Sequence, residues 1–107
     1  MDDGDWLPGL DLLALSAIRK LDDRAYGLSI RGQLEASTGR PIARTDAYRV
    51  LDRLVGHGLA ESRLGSPVSR RGGHARRYFH VTPAGLEVLE VCESALRGLA
   101  GVEGTSR

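Results

Sequence analysis

The sequence has few of the residues that disulfides, metal sites and membrane spans require. Cys92 is the only cysteine among 107 residues, so no disulfide can form within the chain. His57, His74 and His80 do not follow a metal-ligand spacing, and we expect neither a metal nor a cofactor. No apolar run approaches the roughly 20 residues that span a bilayer. The acidic start MDDGDWLPG is unlike a secretory signal peptide, which favours a cytoplasmic protein without a membrane partner.

Catalytic groupings are equally scarce. A phosphate-binding loop needs glycines that follow a strand and open a helix, whereas Gly72 and Gly73 precede a strand-like run. Lys20, the only lysine, is far from this pair in the sequence. Neither a Ser-His-Asp set, a pair of carboxylates nor a Cys-His dyad is apparent. We therefore expect a protein that is not an enzyme.

The length and composition are those of one small globular domain. Hydrophobic residues make up 41% of the chain and charged residues 27%, which is ordinary for a folded protein. A domain of this size buries a limited share of its surface. Pairing with a second copy would therefore help to stabilise it.

Charge is unevenly distributed along the chain. Residues 1–39 carry four basic and seven acidic side chains, and residues 81–107 carry two arginines and four glutamates. Residues 40–80, by contrast, carry nine arginines and three acidic side chains. A merely solvated surface would not require this segregation. The basic middle segment indicates a face directed at a polyanion such as double-stranded DNA.

Apolar spacing and turn residues predict four helices and one β-hairpin. The run LDLLALSAIRKL is apolar on several sides, as in a helix with more than one packing neighbour. A later amphipathic stripe, with Thr45 or Asp46 as its cap, predicts the third helix. Thr82 and Pro83 are typical of a helix start. The predicted helices are 10–21, 24–37, 45–58 and 83 to about 100, and the predicted strands are 59–64 and 76–81.

This order of elements is typical of a winged helix-turn-helix, a mainly α fold with a small β-hairpin. In such domains the third helix enters the major groove, and the hairpin tip, or wing, reaches the flanking backbone. We divide the chain into an N-terminal arm (1–9), a DNA-binding domain (10–81), a C-terminal dimerisation helix (82–100) and a flexible tail (101–107).

Two segments supply the candidates for DNA contact. Arginines on the third helix can pair with guanine or phosphate, and the glycine pair would let the wing approach DNA closely. The candidates are Arg44, Thr45, Tyr48, Arg49 and Arg53 on the helix, and Arg70, Arg71, Gly72, Gly73, His74, Arg76 and Arg77 on the wing. Two alternatives stay open. Arg77 could instead face inward beside Phe79 and pair with an acidic residue, and Asp46 could accept a hydrogen bond from cytosine.

The last helix carries the pattern of a subunit interface. Its apolar residues recur at spacings of three and four, which is a short heptad-like seam. The first helix is also too apolar for a lone domain. We expect a homodimer with Leu12, Leu15, Leu89, Cys92, Leu96 and Leu99 at its interface.

Three segments together resemble the PadR family of bacterial transcriptional regulators. They are AYGLSI, PIARTDAYRVLDRLVGHGLAESRL and RRGGHARRYFHVTPAG, and the likeness runs from about Leu10 to Leu89. The short length is similar to that of the compact members, whose C-terminal part is a single helix. The resemblance implies a homodimeric repressor that binds an operator near a promoter, with Tyr48 and its arginine neighbours on DNA. It also implies that a small planar aromatic effector releases the DNA.

Some positions depart from the family pattern. Ala43 stands where many relatives have serine, and Arg44 and Asp46 replace smaller or neutral residues, so the resemblance does not supply the operator sequence. The remaining alternative is a winged-helix module that binds protein instead of DNA. The modest overall charge and the acidic ends favour that alternative, whereas the basic middle segment favours DNA.

Overall fold

The computed structural model describes residues 9–65 and 76–101. The chain is mainly helical with one antiparallel hairpin, which confirms the predicted fold class. The elements are α1 (Leu10–Leu21), a 3-10 turn (Asp22–Arg24), α2 (Gly27–Thr38), α3 (Arg44–Gly56), β1 (Ala60–Leu64), β2 (Arg77–Val81) and α4 (Pro83–Ala100). The predicted wing residues Arg70, Arg71, Gly72, Gly73 and His74 lie outside the described residues, as do most of the predicted arm and tail.

The predicted helix starts hold for α1 and α4 but not for α2 and α3. Thr82 accepts a hydrogen bond on Oγ1 from the Gly85 N–H at 3.1 Å, as a cap before Pro83 should. The residue before α3 is Ala43, which has no capping side chain, so the prediction of Thr45 or Asp46 as the cap is wrong. Both lie inside the first helical turn, where their own N–H groups need partners.

α2 begins three residues later than predicted. Residues Asp22–Arg24 form a 3-10 turn, and Tyr26 has the extended backbone of an N-cap (φ −136°, ψ 170°). The Ser29 hydroxyl accepts from the Tyr26 N–H at 3.0 Å and donates to the Arg24 carbonyl at 2.6 Å. These bonds fix the entry into α2, and they leave Gly27 as its first residue.

One hydrophobic core holds all the helices and the hairpin together. Its largest fully buried side chains are Leu15, Ile18, Ile30, Leu34, Leu51 and Leu89, each less than 2% exposed. Each such side chain contributes about 1.5–3 kcal/mol by leaving water. Leu15 and Leu89 therefore pack within their own chain, and this corrects their assignment to the subunit interface.

The hairpin is anchored to the helices at its base. β1 and β2 pair from Ala60 with Val81 to Leu64 with Arg77. The Phe79 N–H donates to the Ala25 carbonyl at 2.9 Å, and Tyr26 forms an isolated β-bridge with Tyr78 of β2. Among the described residues, no helix is long and apolar enough to cross a membrane.

Candidate nucleic-acid interface

α3 buries one face and exposes the opposite one. Ala47, Val50, Leu51 and Leu54 are at most 2% exposed and pack into the core. Because an α-helix turns 100° per residue, the residues between them point away from it. The exposed set is Arg44, Thr45, Tyr48, Arg49 and Asp52, which includes four of the five predicted DNA contacts on this helix.

Tyr48 packs against α2 and is also partly accessible to solvent. Its side chain lies over Gly27, where a Cβ atom would be 2.5 Å from Tyr48 Cζ and would overlap the hydroxyl. The residue nevertheless remains 39% exposed. Its ring is therefore held by α2 while part of its surface faces solvent. Gly27 is required here for close approach and not for an unusual backbone angle.

Arg49 has an acidic neighbour on the same helix. Its Nη1 lies 3.1 Å from Asp46 Oδ1, and its side chain is 66% exposed. An exposed pair of this kind contributes little to stability, from zero to about 1 kcal/mol. Arg49 can therefore leave Asp46 for a DNA base or phosphate at small cost.

Arg53 instead forms a two-pronged ion pair with α1. Its Nε and Nη2 each donate to a carboxylate oxygen of Asp11 at 2.7 Å. The hydrogen bond from Arg53 is the main cause that lowers the pKa of Asp11, and the same bond raises the pKa of Arg53. Burial acts in the opposite direction on both. Arg53 therefore joins α3 to α1, and we do not retain it as a DNA contact.

Arg77 adopts the inward arrangement that the sequence left open. Its Nη1 lies 3.3 Å from Asp52 Oδ1, and its guanidinium lies 4.8 Å from the centre of the Phe79 ring. The pair connects the exposed face of α3 to β2. It adds little to stability, because both side chains are largely exposed, but it neutralises a carboxylate that would repel phosphate.

The base of the hairpin carries a cluster of tyrosines and arginines. Tyr26 and Tyr78 meet edge to face with their ring centres 5.7 Å apart. Arg76 lies 3.9 Å above the Tyr26 ring, and Arg63 lies 5.5 Å from the Tyr78 ring. Neither Arg63 nor Tyr78 was named as a site residue from the sequence. Arg63 and Tyr78 are cross-strand partners in the structure, and finding this pair requires the strand register, which was not predicted from the sequence.

The predicted interface leucines divide into buried and exposed ones. Leu96 is 59% exposed and Leu99 is 84% exposed on α4, whereas Leu12 and Cys92 are half-buried. Val91, which is 63% exposed, adds to this apolar surface. α4 thus presents apolar side chains that residues 9–65 and 76–101 of its own chain leave exposed.

The family model of the PadR-like transcriptional regulators matches residues 15–91 of the chain. Among solved structures, a PadR family transcription regulator from Clostridium difficile R20291 is 25% identical with a TM-score of 0.72. The comparison covers 88% of this chain and 93% of that one. A PadR family regulator from Eggerthella lenta is 28% identical with a TM-score of 0.67, covering 92% and 84%. No curated protein matches the sequence.

A PadR-like regulator from Bacillus cereus shows the same fold at 24% identity, with a TM-score of 0.70 and coverage of 89% and 86%. The family match includes α3, both strands and the start of α4, the elements that carry the site described above. These findings confirm the resemblance, and the chain belongs to the PadR-like family of transcriptional regulators, which are winged-helix DNA-binding proteins and not enzymes.

Proposed function

We propose that the chain acts as a homodimeric repressor that binds an operator near a promoter. α3 lies in the major groove, and the hairpin contacts the flanking backbone. The observation that carries this proposal is the exposed face of α3, on which Arg44, Tyr48 and Arg49 project from a helix whose other face is locked into the core. A rigid helix with exposed arginines suits sequence reading, because base contacts require fixed geometry.

The side chains in this proposal have different tasks. Arg49 pairs with a guanine after leaving Asp46, and Tyr48 donates its hydroxyl hydrogen to a phosphate. Arg44 and Thr45, at the start of α3, contact the backbone, where unpaired N–H groups of the helix also favour negative charge. Arg70, Arg71, Gly72, Gly73, His74 and Arg76 complete the contact on the wing.

The homodimer forms through α4 and α1. An apolar surface that includes Val91, Leu96 and Leu99 is costly to leave in water, and a second copy of α4 would cover it. Two copies of α3 then read half-sites roughly 34–36 Å apart. The regulator acts in the cytoplasm, and a small planar aromatic effector releases it from DNA, as the resemblance implies.

A genome-wide footprint of the protein first identifies a DNA sequence that it occupies. Fluorescence anisotropy with that DNA then tests the proposal. We expect specific binding that weakens steeply as salt rises, because arginine contacts release counterions from DNA. Affinity that does not depend on sequence or on salt would contradict it. A protein-binding winged-helix module is the second candidate, and complete absence of DNA binding would favour it.

A further inference from the structure

A concave site of about 310 Å³ opens beside the proposed DNA-reading face. It lies between the start of α1, the turn from α2 to α3, and one flank of α3. Leu10, Ile42 and Val50 are among its lining residues, and each is at most 7% exposed. The volume falls at the lower end of the roughly 300–1,000 Å³ that small-molecule sites occupy. Its floor is aliphatic, which suits the saturated part of a small molecule.

The rim of this pocket is basic. Arg31, Arg40, Arg49 and Arg53 all line it, against one acidic lining residue, Asp46, which pairs with Arg49. Within residues 9–65 and 76–101, Arg40 has no acidic side chain at ion-pair distance. Arg49 has only the exposed pair with Asp46 that was described above. At least two guanidinium groups are therefore available to a bound anion.

The walls of the pocket are held in place without a ligand. Arg31 donates from Nε to the Ile42 carbonyl at 2.6 Å, and the Ile42 N–H donates to Glu35 Oε2 at 2.8 Å. These bonds fix the turn between α2 and α3. On the opposite side, the pair of Arg53 with Asp11 fixes α1 against α3. A pocket formed in advance loses little conformational entropy when it binds a ligand.

Two helix starts add to the positive potential. α1 begins after Gly9 and α3 begins after Ala43, and neither residue provides a side-chain hydrogen bond to the first turn. Leu10 and Ala43 both line the pocket. Unpaired N–H groups at a helix start favour an anion. They reinforce the arginines, which carry the argument.

We propose that this pocket binds a small amphipathic anion, a carboxylate with an aliphatic body of about six to ten carbon atoms, and that its binding competes with DNA. The carboxylate pairs with Arg40 and Arg49, and the hydrocarbon rests on Leu10, Ile42 and Val50. Competition follows because Arg49 belongs both to the pocket and to the exposed face of α3. The competition rests on the proposed DNA-binding function, whereas binding of the anion does not.

Octanoate is the probe, and it is titrated into the DNA-free protein. Calorimetry measures its affinity, and amide chemical shifts locate its binding site. We expect shifts at the amides of Arg40, Ile42 and Ala43, and about tenfold weaker binding in Arg40→Ala, since a charge-assisted contact is lost. Arg24→Ala, which removes an exposed arginine outside the pocket, should bind octanoate as the original chain does. The proposal is overturned if Arg40→Ala binds octanoate as tightly as the original chain does. It is also overturned if the original chain binds octanol or inorganic phosphate as tightly as octanoate.

A second measurement tests the competition. Saturating octanoate should weaken operator binding in fluorescence anisotropy, and Ala43→Phe, which fills the pocket from an exposed position, should abolish this effect. Unchanged DNA affinity at saturation overturns the competition, as does an equal effect in Ala43→Phe. If the protein binds no DNA even without octanoate, the proposed function fails, and the DNA-free titration still decides whether the pocket binds the anion.

Discussion

The ring of Tyr48 on α3 occupies the space that a side chain at Gly27, the first residue of α2, would fill. The two helices of the helix-turn-helix therefore approach each other closely at a position where one contributes no side chain. This contact sets the position of a tyrosine that we place on DNA. It also explains why a helix begins with glycine, a poor helix former.

Gly27→Ala should lower the free energy of unfolding by about 1–3 kcal/mol, because the added methyl group overlaps the tyrosine ring. Urea denaturation measures the change. Gly32→Ala is the matched control, since nothing lies within 4 Å of a Cβ added there in the same helix. That control should raise stability by about 0.5–1 kcal/mol through helix propensity. An equal effect of both changes would contradict the close packing, as would a Gly27→Ala cost that persists in a Tyr48→Ala background.

The pair of Asp11 with Arg53 predicts a pH dependence of stability. The pKa of Asp11 is lowered in the folded state, mainly by the hydrogen bond from Arg53. A carboxyl group with a lowered pKa in the folded state stabilises the fold at pH values above its unfolded pKa of about 3.9. This stabilisation is lost as the pH falls through the pKa of the folded state. Asp11→Asn should thus cost about 1 kcal/mol at pH 7, a figure that allows for solvent screening of a partly exposed pair.

Urea denaturation of both chains at several pH values checks this expectation. The difference between them should shrink as pH falls below about 4. In an Arg53→Met background, Asp11→Asn should have little effect at any pH, because its partner is gone. A difference that stays constant from pH 7 to pH 3 would refute the role of the ion pair.

The sequence predicted the elements whose causes are local. The apolar spacing of α1, the alternation in β2 and the Thr82 cap each depend on residues that are close together in the sequence. The start of α3 was predicted one residue late, because a helix can begin without a capping side chain. Leu15 and Leu89 were assigned to the subunit interface because periodicity identifies apolar faces but not what covers them.

The contacts that define the site were less predictable, because they join distant parts of the chain. Asp11 and Arg53 are 42 residues apart, and Asp52 and Arg77 are 25 apart. Strand alternation left an inward Arg77 open as an alternative to DNA contact, but its acidic partner could not be chosen from the sequence. The pocket beside α3 has walls from three elements, so no single stretch of sequence reveals it.

Arg49 should determine part of the operator preference. A bidentate contact with guanine is worth about 1–3 kcal/mol of discrimination. Arg49→Ala should therefore relax the preference at one base pair in each half-site, as measured by anisotropy against a set of single-base operator variants. Arg44→Ala is the comparison, and it should weaken binding to all variants alike. An unchanged order of preference in Arg49→Ala would argue against base contact.

Asp52 and Arg77 should have opposite effects on DNA affinity. Asp52→Ala removes a negative charge from the exposed face of α3 and releases Arg77, so DNA should bind several-fold more tightly with a steeper salt dependence. Arg77→Ala leaves the carboxylate of Asp52 unneutralised and should weaken binding. Anisotropy over a salt series measures both. Weaker binding in Asp52→Ala would show that the pair is needed to hold the hairpin more than to balance charge.

Leu96→Asp should yield monomers without unfolding the chain. Leu96 is 59% exposed on α4, so a carboxylate there costs little in a single chain, but in the proposed dimer it would be buried without a partner. Light scattering measures the mass, and circular dichroism verifies the helices. Leu64→Asp is the matched control, because Leu64 is 71% exposed at the end of β1 and should leave the dimer intact. Since a monomer presents a single α3, operator affinity should fall with the mass, and a dimer that persists in Leu96→Asp together with Leu99→Asp would refute the interface on α4.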